Sequence, residues 1–468
     1  MSEAGIKAGK LGVKAVILLM IASCLGIRWI PVAGAIGTPA LLFWILGVIL
    51  FFIPLGLMII ELSLNYTRDG GVYLWVKEGL GPFSGFFSAW FYWVNNLFYY
   101  PGLLTFMAAN LAYLTGNKDL ATNHHFIVTV VICSFWLAII LNILGMQRVA
   151  RVAGFSGILN IALVVFIIIS GFTYLAIYHT PATTFSFTNL IPRGSTFDNL
   201  SNLALLMFAL GGLELIPTLA QSINKPERNL PLGVFFSGIV LIFLYLIGTL
   251  SINFILSPHE LSNTTGLVDA FYAVTDKLHI AGMVNLLIAA IVIVEFGAII
   301  LWLIAPTIMF FECSEPGILP DWLQKLNGNG VPANALVFQG VIVSGIILLT
   351  QYLPTVNSMY LILVLMAAII YFLPYLFLSV AYWRLRSKGL LKKTILNNCF
   401  SKIIAIISFL AVLLGIGLTF IPTSDLKTAH EIFIYEFELI GGPAIFIIVG
   451  IIIYANRGNF ERKPKWHK

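Results

Sequence analysis

About twelve stretches of mostly apolar residues follow one another along this 468-residue chain, and no other feature narrows its fold so far. A helix needs ~20 such residues to cross ~30 Å of hydrocarbon. By that measure candidate spans lie near 12–35, 38–64, 83–114, 125–145, 152–178, 200–222, 231–256, 281–311, 334–351, 356–383, 400–422 and 437–455. They are expected to be helices, because lipid offers no partner to an unpaired backbone N–H or C=O. Only 10% of residues are charged and 59% are hydrophobic, against roughly 25% charged in a soluble domain. Polar, Gly- and Pro-containing connectors such as 65–82, 224–231 and 312–332 separate the runs, and no polar domain interrupts them. The expectation is one all-α membrane unit of about twelve transmembrane helices. The first run leads into further spans rather than into a cleavage site, so it reads as a span and not as a secretory signal.

The basic residues set the orientation. With the N-terminus in the cytoplasm and the loops assigned alternately, 21 of the 26 Lys and Arg fall on the cytoplasmic side. Lys118, Arg193, Lys277 and Lys427 fall outside, and Arg28 lies within a span. The positive-inside rule then predicts a multi-pass protein of the cell (inner) membrane with both termini cytoplasmic. The same bias accounts for the net charge of +6 without any nucleic-acid partner. The basic tail 457–468 reads as an anchor at anionic membrane lipid.

Catalytic chemistry has no visible carrier. Cys24, Cys133, Cys313 and Cys399 are scattered without metal or redox spacing and read as packing residues. No P-loop, nucleophile elbow, zinc-protease helix or kinase set is present, so neither enzyme activity, nor ATP-driven transport, nor a cofactor or metal is expected.

Among the charged residues within or near the apolar runs, Arg28, Glu61, Glu214 and Glu295 stand out. Each costs about 2.5–3.5 kcal/mol at mid-membrane, so each is a functional candidate that should face a pathway or another charge. Glu61, at the end of the second span beside Asn65 and Arg68, reads as holding the adjoining loop. Glu214 is different. It follows Gly211 and Gly212, which weaken a helix, and precedes Pro217, which removes a backbone donor. The first span has the same symptom at Ala22-Ser23-Cys24-Leu25-Gly26, followed by Arg28, Pro31, Gly34 and Gly37. Two interrupted helices in corresponding places point to an inverted-repeat transporter with its site at the breaks. The first half would cover about 12–178, the second about 200–383, with further helices at about 400–455. Freed N–H groups at a break attract a carboxylate. Glu295 could bind a substrate amine, carry a proton or pair with Arg28; an Arg28–Glu214 pair is equally allowed. Asn95, Asn96, Tyr99 and Tyr100 form a polar-aromatic strip on the third span, read as interfacial anchoring or helix–helix hydrogen bonding, with ligand contact as the alternative. Phe208, Trp302 and Tyr92 are candidate covers for a site.

Three separated motifs then carry a family likeness. Asp69-Gly70-Gly71-Val72-Tyr73-Leu74-Trp75-Val76, with Leu80-Gly81-Pro82 and Gly85-Phe86, resembles the signature of the amino acid–polyamine–organocation superfamily. Gly212-x-Glu214 followed by Asn224-Lys225-Pro226-Glu227-Arg228-Asn229-Leu230-Pro231 resembles its sixth-helix break and loop. Pro316-Gly317-Ile318-Leu319-Pro320, then Asn327 and Gly330-Val331-Pro332, resembles the loop after its eighth helix.

The resemblance implies a five-plus-five inverted repeat with discontinuous helices 1 and 6, two added C-terminal helices, and alternating access around a central site. It implies amino acids as substrates, moved by exchange or with protons; polyamines or organic cations, or a non-transporting sensor, are the alternatives. Homo-oligomers are allowed. Cys24, Leu25 and Gly26 stand where the family's Gly-Ser-Gly receives the substrate carboxylate. Phe208 stands at the aromatic gate, with Gly211 and Gly212 at the break. Glu214 matches an acidic residue tied to pH response, and Glu295 one in the eighth helix of glutamate/GABA antiporters. The chain also departs from the pattern. Cys24 replaces a glycine, Arg28 an apolar residue, and Ala220-Gln221-Ser222 an acidic run. The fifth span lacks a lysine and the eighth the hydroxyl pair of a sodium site, which leaves Glu214 or Glu295 as the proton-coupling candidates.

Overall fold

Backbone groups in lipid must be bonded within the chain, and the computed structural model of the protein meets that demand with helices. It describes residues 11–191, 200–262, 264–277, 280–312, 317–353, 355–421 and 429–457, among which there is no β-strand and one isolated bridge, Leu11–Ile223. The first ten residues, Arg193, His279, Cys313, Pro316, Lys427 and the tail beyond Arg457 lie outside the described residues.

Ten helices are long and apolar enough to cross a membrane, from Pro39–Asn65 to the last helix, Ala429–Ala455. An eleventh crossing is a bent pair, Val13–Cys24 and Trp29–Ile36, at 51° to each other. The sixth expected span is also in pieces: a nine-residue helix, Ser201–Ala209, and a 3-10 turn, Ile216–Ser222. Neither piece is long enough to span alone, so the first and sixth spans are the discontinuous ones. Span numbers below follow this order.

The connector 65–82 is not a plain loop. Gly71–Leu80 forms a helix with Gly71 through Val76 buried. Glycine is needed at both ends of this packing. Gly71 has φ +47°, where a Cβ would stand 2.8 Å from Thr218 Cγ2, and a Cβ on Gly79 would stand 2.7 Å from that of Ala381. The segment is therefore wedged between the sixth span's turn and span 10. A second helix between spans, Gly266–Lys277, lies between spans 7 and 8.

Hydrogen bonds gather the basic connectors at one end of the bundle. Leu11 exchanges bonds with Ser222 and Asn224 (3.0 and 2.9 Å), and Gly70 N–H donates to Thr218 O at 3.3 Å. Asn65 Oδ1 accepts from the N–H groups of Lys392 and Lys393 at 2.9 and 3.0 Å. Glu61, fully buried, holds the loop before span 11: its Oε1 accepts from Ile395 N–H and Leu396 N–H, both at 2.8 Å. Its Oε2 accepts from Tyr382 at 2.8 Å, with Arg386 Nε 3.7 Å away. The expected loop-holding role is right in kind, but the loop is remote in sequence rather than adjoining.

Apolar burial does not drive helices together in lipid, so close contact at small residues does. A Cβ on Gly171 of span 5 would lie 2.5 Å from Ser251 O of span 7, and one on Gly297 of span 8 would collide with the side chain of Ser156 on span 5. Gly297→Ala is therefore expected to destabilise the protein by about 1–3 kcal/mol, read as a lower melting temperature in detergent. Gly345→Ala, whose Cβ meets nothing within 4 Å, should leave the melting temperature in place. Equal melting of the two variants would contradict this packing.

Candidate functional site

The break in span 1 follows from its residues. The helix stops at Cys24, where Leu25 turns to an extended ψ of 110°, and resumes at Trp29. A helix end frees backbone groups that need new partners. Three freed carbonyls are each met by a side chain from another span. Trp302 Nε1 donates to Ser23 O (3.2 Å), the Tyr245 hydroxyl to Cys24 O (2.7 Å), and Asn160 Nδ2 to Leu25 O (2.6 Å). Tyr245 also accepts from Gly26 N–H at 2.9 Å. The N–H groups of Ile27 and Arg28, at the start of the second half-helix, meet no acceptor among the described residues.

The second break abuts the first. Gly212 takes φ +114°, a conformation that favours glycine. A Cβ there would stand 3.0 Å from Ser23 O and 3.1 Å from Cys24 Sγ. Ser23 Oγ donates to Gly212 O at 3.3 Å, so the interrupted backbones touch. Between them and spans 3, 5, 8 and 10 lies a cavity of about 490 Å³, its opening included. Phe208 lines it, edge-on to Tyr371 at 5.2 Å, Trp29 at 5.8 Å and Tyr99 at 6.0 Å.

Arg28 and Glu295 meet in the wall of this cavity. Arg28 Nη1 stands 3.2 Å from Glu295 Oε2, with the two side chains only 3% and 1% exposed. Nη2 donates to the Tyr99 hydroxyl at 2.8 Å, and the guanidinium lies 4.8 and 5.1 Å from the ring centres of Trp29 and Tyr99. Of the two pairings open from sequence, the structure forms Arg28–Glu295. Glu295 Oε1 accepts no hydrogen bond among the described residues.

Glu214 sits one layer behind the wall. Its Oε1 accepts from Tyr92 at 2.8 Å and Tyr371 at 2.6 Å, and its Oε2 from Gly212 N–H at 3.3 Å. It pairs with no cation among the described residues. Tyr371 lines the cavity and packs on Gly211, where any Cβ would collide with its ring and hydroxyl.

Cys24, Leu25, Gly26, Arg28, Phe208, Gly211 and Glu295 therefore line one cavity, whereas Gly212 shapes the break and Glu214 stands behind it. The strip on span 3 divides. Asn95 and Tyr99 line the cavity, the second of the two readings open from sequence, while Asn96 and Tyr100 bond inside the bundle, to Tyr92 O at 2.7 Å and Trp302 O at 2.9 Å. Trp29, Asn160, Tyr245 and Tyr371 were not singled out from sequence. Only Asn160 carries a local signal, an amide between Leu159 and Ile161 in an apolar run.

Two interrupted spans meeting around one cavity are the architecture of a membrane transporter. The chain belongs to the amino acid permease family, whose model matches residues 11–451. An uncharacterized transporter of Legionella pneumophila is 27% identical over 444 residues, covering 94% of this chain and 95% of that protein. A glutamate/gamma-aminobutyrate antiporter of Lactococcus lactis is 25% identical over 430 residues, 88% of this chain and 84% of that one. A probable agmatine/putrescine antiporter of the same species is 23% identical over 359 residues, 76% and 75% of the two chains.

Tyr245 is the residue on which the first break most depends. Tyr245→Phe leaves Gly26 N–H and Cys24 O without their partner, and an unsatisfied buried group costs about 1–3 kcal/mol. The variant is expected to melt at a lower temperature than the parent in the same detergent. Unchanged melting would show that the break is held by other contacts.

Proposed function

We propose that the protein moves amino acids across the membrane by alternating access, as an antiporter or a proton-coupled symporter. The observation that carries this reading is the pair of unpartnered N–H groups at Ile27 and Arg28, which open a half-helix beside an enclosed cavity. Such an end attracts an anion, here a substrate carboxylate held at the Ile27 and Arg28 N–H groups that follow Cys24-Leu25-Gly26. Unpartnered acceptors in the same wall, Asn95 Oδ1 and Glu295 Oε1, suit a substrate's N–H groups. Two relatives are named as antiporters of small amino compounds, which supports the same class.

Glu214 is the proton-coupling group in this reading. As a carboxylate it receives two tyrosine hydroxyls and the Gly212 N–H. Protonation adds a donor and takes away acceptor capacity and charge, which weakens the hold on all three. Tyr371 joins this triad to the cavity wall and to Phe208. Loss of a proton from Glu214 would thereby tighten the sixth-span break and its aromatic cover together. The halves 12–178 and 200–383 move about the site, and 400–455 stands outside the repeat. Both termini lie in the cytoplasm, the side to which the positive-inside rule assigns the end where the basic connectors are tied together.

Proteoliposomes holding the purified protein are expected to take up labelled amino acid by counterflow or under a pH gradient. No uptake and no binding across a full panel of amino acids and polyamines would contradict the reading. Glu214→Gln should insert normally and make transport less dependent on pH. An unchanged pH profile would remove Glu214 from the coupling role.

A further inference from the structure

We infer that Arg28 and Glu295 select a substrate whose side chain is uncharged yet carries both a donor and an acceptor, a primary carboxamide of the glutamine or asparagine type. This rests on the transport reading above and names the substrate class within it.

The two groups cancel each other at 3.2 Å, nearly out of contact with solvent, and neither has another ion-pair partner among the described residues. An acidic side chain drawn to Arg28 meets the Glu295 carboxylate. A basic one drawn to Glu295 meets the guanidinium. Either must part the pair and leave a buried charge uncompensated, which is strongly unfavourable. A ligand of zero side-chain charge leaves the pair whole.

Hydrogen bonding narrows the class further. Glu295 Oε1 is a buried acceptor without a donor, and Asn95 Oδ1 is a second one in the same wall. Buried polar groups are almost always bonded, so the site calls for an N–H donor from its occupant. Of the five N–H donors of a guanidinium, Arg28 commits one to Glu295 and one to Tyr99. With Tyr360 also beside the guanidinium, the pair shows the ligand one free carboxylate oxygen and the guanidinium N–H groups that remain, with no net charge. The NH₂ and C=O of a primary amide complement those two features. An aliphatic side chain leaves Oε1 unpaired, and a site built on hydrogen bonds rejects such analogues strongly.

The test is a competition panel in proteoliposomes with melting-shift binding alongside, using glutamine, asparagine, leucine, glutamate, lysine and putrescine. For the parent protein, glutamine or asparagine should outcompete each of the others by at least about tenfold. Glu295→Gln, which frees Arg28, should shift preference toward glutamate. Arg28→Gln, which frees Glu295, should shift it toward lysine and putrescine. The double variant Arg28→Gln with Glu295→Gln holds no charge and should return to uncharged substrates. A parent that prefers a charged amino acid or a diamine, or single variants that shift in the same sense, would overturn the inference while leaving transport intact. If a single variant fails to reach the membrane, the parent panel decides alone. Failure of every solute to bind or move would overturn the transport reading itself, and this inference with it.

Discussion

A helix opened inside a bilayer must find new partners for the backbone groups it frees. In this protein that demand organises the bundle. The carbonyls of Ser23, Cys24 and Leu25 are taken up by Trp302, Tyr245 and Asn160, which arrive from spans 8, 7 and 5. The broken segment thus specifies where three other spans stand. What is left over is as informative as what is bonded. The freed carbonyls have partners and the N–H groups of Ile27 and Arg28 do not, so the break presents a donor-rich end to the cavity beside it.

The two acidic groups of the centre differ in surroundings, and in the proposed function that difference divides the work between them. Glu295 lines the cavity and is balanced by Arg28, so its charge is spent locally while one oxygen stays free. Glu214 has no cation and is held by hydroxyls and an amide behind the wall. A ligand meets the first directly and the second only through Tyr371. Substrate recognition at Glu295 and proton response at Glu214 can then be linked without competing for one carboxylate.

Much of this was legible in the sequence, for a physical reason in each case. Apolar runs of spanning length can be little else than membrane helices. The Gly211-Gly212 pair and the Cys24–Pro31 stretch carry residues that cannot continue a helix cheaply, and both breaks form where those residues stand. The charges were conspicuous because lipid makes them costly. Partnership was not legible. Arg28 pairs with Glu295 rather than Glu214 because of how spans 1 and 8 are packed, which no local pattern encodes. Asn95 and Asn96 are adjacent in sequence, yet one lines the cavity and the other bonds within its own helix, since one residue of rotation changes the face. Tyr245 and Tyr371 sit in apolar surroundings where a packed ring and a hydrogen-bonding hydroxyl look the same in sequence. The helix Gly71–Leu80 is too short and too glycine-flanked to stand out, and packing against Thr218 and Ala381 creates it.

The central claim is that the touching breaks wall one cavity opened in turn to each side of the membrane, and Cys24 reports on it directly. It lines that cavity and is buried, whereas Cys133 and Cys399 are exposed. With the other three cysteines changed to serine, a membrane-impermeant thiol reagent would be applied to oriented vesicles from one face or the other. The account predicts that Cys24 is modified from both faces, and that a transported substrate slows the reaction on each. Modification from one face alone, or from neither, would contradict it.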